Sequence, residues 1–183
     1  ILGTKVFFST DKGPNDSGLS RTHIMSSVEK SLDRLRTDYI DLYQVHCYDR
    51  MTSMENVVST MDLLVQQGKI RNYGVSNYTP SNIVRSIMHA RHFGKTALSS
   101  VQLEYSLLVR SPEWELLPLC DEENLGVLAW SALGGGWLTG KYRRDQAAPK
   151  ESRAGVADRW DDNEEQRGGE RTYRIIDTML DMS

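Results

Sequence analysis

Lys5, His46, the pair Ser76-Asn77, Gln102 and Trp130 each stand at or near the end of a short apolar run in this 183-residue chain. Their types suit one another chemically. A lysine ammonium lowers the pKa of a neighbouring acid such as a phenol, and an imidazole within hydrogen-bond reach orients a carbonyl oxygen. The hydroxyl and amide groups of Ser76, Asn77 and Gln102 suit a carboxamide, and Trp130 offers a flat face to a ring. Further on, WSALGGGWLTGKYRR sets three glycines, whose backbone can approach a phosphate closely, beside Lys141, Arg143 and Arg144. Taken singly each has an ordinary reading: a packed or solvated histidine, a solvated lysine, turn and cap chemistry at Ser-Asn, a flexible glycine loop. Their convergence on one rim is what would give them a common purpose.

The elements that must bring them there follow from periodicity. Strands are predicted over residues 1–5, 39–46, 69–76, 99–104 and 126–131. Between them, 20–35 carries Ile24, Val28, Leu32 and Leu35 at helical spacing. A second helix is predicted from a capping box of Thr52 with Glu55 through to Gly68, and a third from Thr79-Pro80 to about Phe93. Ser111-Pro112 repeats the start signal for a helix to Asn124. A long Gly- and charge-rich loop, about 132–169, holds few apolar anchors beyond Trp137 and Leu138 and precedes a helix over 170–182.

Strands alternating with helices through short connections imply right-handed parallel βαβ units, hence an α/β fold. The chain lacks the Gly-x-Gly-x-x-Gly turn of a dinucleotide-binding doubly wound sheet, so a (β/α)8 barrel is the preferred architecture. In such a barrel the C-terminal strand ends form the working face, which is where His46 falls. Net charge of -3 and pI near 5.8 give no reason to expect nucleic acid or an anionic membrane surface. The longest uncharged run, 124–140, is shorter than the roughly 20 apolar residues of a membrane span and holds five glycines, so no membrane insertion is expected. Cys47 and Cys120, far apart, suggest reduced thiols and a cytoplasmic setting.

The ordered set ILGTK, SLDRLRTDYIDLYQVHCYD, LVQQGKIRNYGVSNYTPSNI, SSVQLEYSLLVRSPEWELLPLC and GVLAWSALGGGWLTGKY resembles the aldo-keto reductase family. It is most similar to the branch holding aryl-alcohol dehydrogenase-like proteins and potassium-channel beta subunits. The resemblance covers about residues 1–142 and implies a NADPH-dependent oxidoreductase that reduces aldehydes or ketones, with a small-molecule carbonyl substrate. By motif, Lys5 matches the family's catalytic lysine and His46 its catalytic histidine. Ser76, Asn77 and Gln102 match the ligands of the nicotinamide carboxamide, and Trp130 the ring stacked on the nicotinamide. Ser131, Leu133 and Lys141 match contacts of the loop over the cofactor phosphates.

The same resemblance aligns the chain with about strands 3 to 7 of the barrel, as one domain over 1–183 incomplete at both ends. The family's catalytic Asp and Tyr are expected upstream of Lys5, and its last strand and adenosine-phosphate contacts downstream. The isolated chain is therefore expected to be a poor reductase, with open sheet edges that call for a pairing partner. The alternative the resemblance offers is a cofactor-sensing regulatory or scaffolding subunit with little turnover. No metal site is expected: His89 and His92 on one helix and His23 on another read as exposed surface without ligand companions. Alternation points Cys47 away from His46, against a catalytic Cys-His pair.

Overall fold

The computed structural model describes residues 1–9, 12–13, 15–144, 146–153, 155 and 167–182. Five strands, β1 (Gly3–Val6), β2 (Ile40–Val45), β3 (Ile70–Ser76), β4 (Ser100–Glu104) and β5 (Gly126–Trp130), lie in the order β1-β2-β3-β4-β5. Register is parallel in the first three pairings, with Val6 opposite Val45, Val45 opposite Val75, and Val75 opposite Val101. The five-stranded parallel sheet alternating with helices is that of a partial (β/α)8 barrel.

Alternation along the strands explains which residues face which way. One face carries the valine row together with Tyr43 and Tyr73, all buried. Helices α1 (Arg21–Leu35), α2 (Met54–Gln66) and α3 (Pro80–His92) bury Ile24, Val28, Met61, Leu64, Ile83 and Ile87. Each fully buried side chain of this size is worth about 1.5–3 kcal/mol of transfer free energy. The other face carries Lys5, Gln44, Gly74 and Ser100 in one register row, with Ser76 opposite Gln102 one step nearer the strand ends. At Gly74 the strands approach so closely that an added Cβ would stand 2.3 Å from Ser100 Oγ.

Three helix starts follow their caps: Ser20, Ser53 and Thr79 accept from the amides of His23, Asn56 and Asn82. The expected capping box at Thr52 does not form, because Asp49 engages the Thr52 hydroxyl at 2.8 Å and the cap passes to Ser53. The single helix expected from Ser111 to Asn124 is broken into a 3₁₀ turn, Ser111–Glu113, and α4 (Leu116–Glu122). Pro118 is the reason: it has no N–H and its ring clashes with the carbonyl four residues back, so it is tolerated only in a first turn.

Two compact units are distinguishable, Ile1–Leu103 with Trp114–Leu128, and Glu104–Glu113 with Ala129–Ser183. In the second, the 3₁₀ segment Gly134–Thr139 and α5 (Glu170–Asp181) are joined by a buried cluster of Trp137, Tyr142, Tyr173 and Ile176. Trp137 and Leu138 are the anchors expected of the glycine-rich loop, and both are buried. Part of that loop lies outside the described residues.

Candidate functional site

The first unit builds a continuous rim from four strand ends. His46 N–H donates to the Val6 carbonyl at 2.9 Å, and Asn77 N–H to the Gln102 carbonyl at 3.2 Å. Between them the Asn77 amide group donates to the His46 carbonyl at 3.1 Å and to Ser76 Oγ at 3.2 Å. Asn77 does this in the left-handed region, φ 57°, which a short polar side chain tolerates better than most. Backbone and side chain of one residue thus tie β2, β3 and β4 together where the working face is expected.

His46 is half-buried, and burial first, then the charge of Lys5, holds its imidazole below the ordinary histidine pKa. It is therefore neutral near pH 7 and able to donate an N–H to a carbonyl oxygen without a charge of its own. Lys5 is exposed, in the same register row as Gln44. The Phe8 ring meets the His46 ring edge-on, centroids 4.8 Å apart. Beside it a cavity of about 480 Å³ is lined by Phe7, Phe8, Ser17, Gly18, Asp49 and Met51 among others.

The inner face below this rim carries polar atoms without protein partners among the described residues: Gln44 Nε2, Ser100 Oγ and Gln102 Oε1. A buried polar group left unpaired costs about 1–3 kcal/mol, so such atoms call for a polar ligand or water. Gln102 Oε1 is an acceptor, and Ser76, 1% exposed, is its register partner. That pair fits the donor and acceptor of a carboxamide. Burial pushes the Cys47 thiol pKa up, opposed by a hydrogen bond from Asn77, so Cys47 is not an activated nucleophile.

In the second unit Trp130 ends β5 half-exposed, and Ser131 has φ 54°. Leu133 is exposed and the amide of Gly136 donates to its carbonyl. Lys141 Nζ lies 5.2 Å from the Tyr142 ring centroid and against Gly136. Arg144, one of the cations noted beside the glycines, is committed elsewhere: it pairs with Glu170 and Asp177 and covers Tyr173 at 5.4 Å. Lys141 and Arg143 remain exposed.

His23 departs from expectation. It is buried, 2% exposed, against Ser27 on α1, because its position continues the apolar stripe of Ile24 and Val28. His92 is exposed and His89 half-buried, each against Phe93. No cluster of three metal-ligating side chains occurs among the described residues, and none of their helices is long and apolar enough to cross a membrane. Sequence reasoning gave Gln44 no role, and it did not single out Phe8, Asp49 or Ser100.

The family model of the Aldo/keto reductase family matches residues 1–180. An uncharacterized oxidoreductase of Bacillus subtilis is 38% identical over 154 residues, 82% of this chain and 47% of that protein. A protein named "Probable voltage-gated potassium channel subunit beta" from Arabidopsis thaliana is 35% identical over 154 residues, 84% of this chain and 46% of its own length. An aldo-keto reductase of Babesia bovis is 38% identical over 154 residues, 69% of this chain and 54% of its own. Aryl-alcohol dehydrogenase-like proteins are also among the relatives. The chain spans about half the length of these curated relatives.

Proposed function

Since this chain belongs to the aldo/keto reductase family, we propose that it forms part of a NADPH-dependent oxidoreductase that interconverts aldehydes or ketones and alcohols. The observation that carries this reading is the rim, where a neutral His46 beside the Lys5 charge stands in line with the polar pair Ser76 and Gln102. When bound, the nicotinamide supplies a hydride from its C4 to the carbonyl carbon. His46 orients the carbonyl oxygen by donating an N–H, and its neutrality avoids a second charge beside Lys5. Lys5 lowers the pKa of the acid that completes the alcohol, a role the family resemblance gives to a tyrosine upstream of Lys5.

Within the first unit, Ser76, Asn77 and Gln102 would hold the carboxamide, with Gln102 Oε1 accepting from its amide. By the family resemblance, Trp130 would stack on the nicotinamide ring, and Ser131, Leu133 and Lys141 would serve the phosphates. A single domain, a cytoplasmic setting and a pairing partner at the sheet edges belong to the same reading; all five residues of β5 are exposed. The second reading, a cofactor-sensing regulatory subunit, draws on the 35% identity to the Arabidopsis protein.

The test uses the reading frame that contains this chain, with NADPH fluorescence titration and turnover of 4-nitrobenzaldehyde. His46→Ala and Lys5→Met should each cut kcat by about 10²- to 10⁴-fold while leaving NADPH binding within a few-fold. Turnover untouched by both changes would remove the proposed roles. Tight NADPH binding without turnover would select the regulatory reading.

A further inference from the structure

The chemistry above leaves Asp49 unused, yet its carboxylate is the meeting point of two loops. Oδ2 accepts from the Leu19 amide and the Thr52 hydroxyl, both at 2.8 Å, and Oδ1 accepts from the Met51 amide at 2.8 Å. Gly18 lies against the same carboxylate with φ 79°, where an added Cβ would stand 2.9 Å from Oδ2. Its amide in turn donates to the Phe7 carbonyl at 2.8 Å. Phe8 follows, and its ring meets His46, three residues before Asp49. The contacts therefore close a circuit: His46, Asp49, Gly18-Leu19, Phe7, Phe8 and back to the imidazole.

We propose that Asp49 is a positioning residue for His46, locking the segment after β1 so that Phe8 stays packed on the imidazole and the adjoining cavity keeps its shape. This rests on the reading of His46 as the group that orients the carbonyl. A carboxylate suits the position because three donors converge on two oxygens; an asparagine has one acceptor oxygen and would turn an N–H₂ towards a donor. Burial opposes ionisation of Asp49, but the amides of Met51 and Leu19 and the Thr52 hydroxyl outweigh it and hold the carboxyl below the usual range. The clasp is thus charge-assisted at neutral pH. A displaced reacting group can cost about a hundredfold in rate without contact between the mutated residue and the substrate.

The experiment reads the imidazole directly. In the histidine-labelled chain, the His46 ring-proton resonances, assigned with His46→Gln, carry the ring-current shift of Phe8, and Phe8→Leu gives the value without it. Asp49→Asn should move those resonances at least halfway to the Phe8→Leu position. In the active reading frame it should lower kcat about ten- to a hundredfold, with the KM for NADPH within about twofold. Asp62 provides the control: it accepts from the Thr96 amide and hydroxyl at 2.9 Å and from Lys95 at 3.2 Å. Asp62→Asn should lower the melting temperature while leaving the His46 resonances in place. If Asp49→Asn does not fold, Thr52→Val, which removes one of the three bonds, and Gly18→Ala, which crowds Oδ2, should give smaller shifts in the same direction. His46 resonances unmoved in the Asp49, Thr52 and Gly18 variants, or moved equally by Asp62→Asn, would overturn the proposal. A shifted His46 in Asp49→Asn, together with turnover indifferent to His46→Ala, would leave the positioning role standing and remove the functional reading instead.

Discussion

The two compact units hold their shape by different means. In the first, register across four strands, three capped helices and a buried valine row specify one another, so each residue is fixed by neighbours distant in sequence. The second rests on a cluster of four buried side chains between a 3₁₀ segment and one helix, with the ion pairs of Arg144 on its outside. A large shared core distributes the loss of any one contact, whereas a small one concentrates it. The candidate residues divide along the same line: the groups read as catalytic stand on the broad sheet, and Ser131, Leu133 and Lys141 in the second unit.

The largest effect is expected from Trp137→Ala. Deleting a fully buried tryptophan costs about 3–5 kcal/mol, and here hydrogen exchange should accelerate through Glu170–Asp181 while the amides of β2 and β3 keep their protection. Equal acceleration in β2 and β3 would break the comparison by showing one cooperative whole. Met61→Ala, at a position with no exposure on α2, should cost about 2–5 kcal/mol in urea unfolding and act on the sheet side instead.

Acid should separate the units next, since all four histidines lie in the first and none in the second. Burial lowers the pKa of both His23 and His46. A folded pKa below the unfolded 6.5 means the folded state binds fewer protons, so this stability is complete above about pH 6.5 and is lost as pH falls through the folded values. Asp49 and Asp62, with depressed pKa values, add losses only at lower pH, near and below about 4. Melting monitored from about pH 7 to about pH 5.5 should weaken the first unit, with the slope reduced in His23→Gln, and leave Trp137 fluorescence in the second unaffected. The smallest change belongs to Arg144→Ala, whose exposed ion pairs should matter slightly in dilute buffer and not at all in about 1 M salt.

Much of the first unit was legible because its signals are local and agree. Apolar alternation placed all five strands within a few residues, and Ser20 and Thr79-Pro80 marked helix starts that the structure keeps. Failures came where a competing partner or a local breaker decides the outcome. Thr52 and Glu55 spell a capping box, yet Asp49 takes the hydroxyl. Asp49 drew no role from its sequence neighbours, because one of its partners, Leu19, stands 30 residues earlier. Pro118 was a legible stop inside the Ser111–Asn124 helix that the start signal at Pro112 obscured. The candidate site follows the same rule: alternation predicts His46 and Gln44 on one face, but neither spacing nor composition reveals that Phe8 packs on the imidazole.

Gly74 shows how such a sheet constrains the drift of its own gene. Its φ is not the issue; Ser100 Oγ and the Ser100 carbonyl, 2.3 and 2.8 Å from where a Cβ would stand, leave no volume for one. Gly68, by contrast, has φ 73° and nothing within 4 Å of its absent Cβ, so asparagine could serve there at small cost. In a saturation library selected for folding, codon 68 should therefore diversify towards asparagine and aspartate. Codon 74 should stay glycine even when position 100 changes with it, since a shortened Ser100→Gly neighbour clears the hydroxyl but leaves the carbonyl in place.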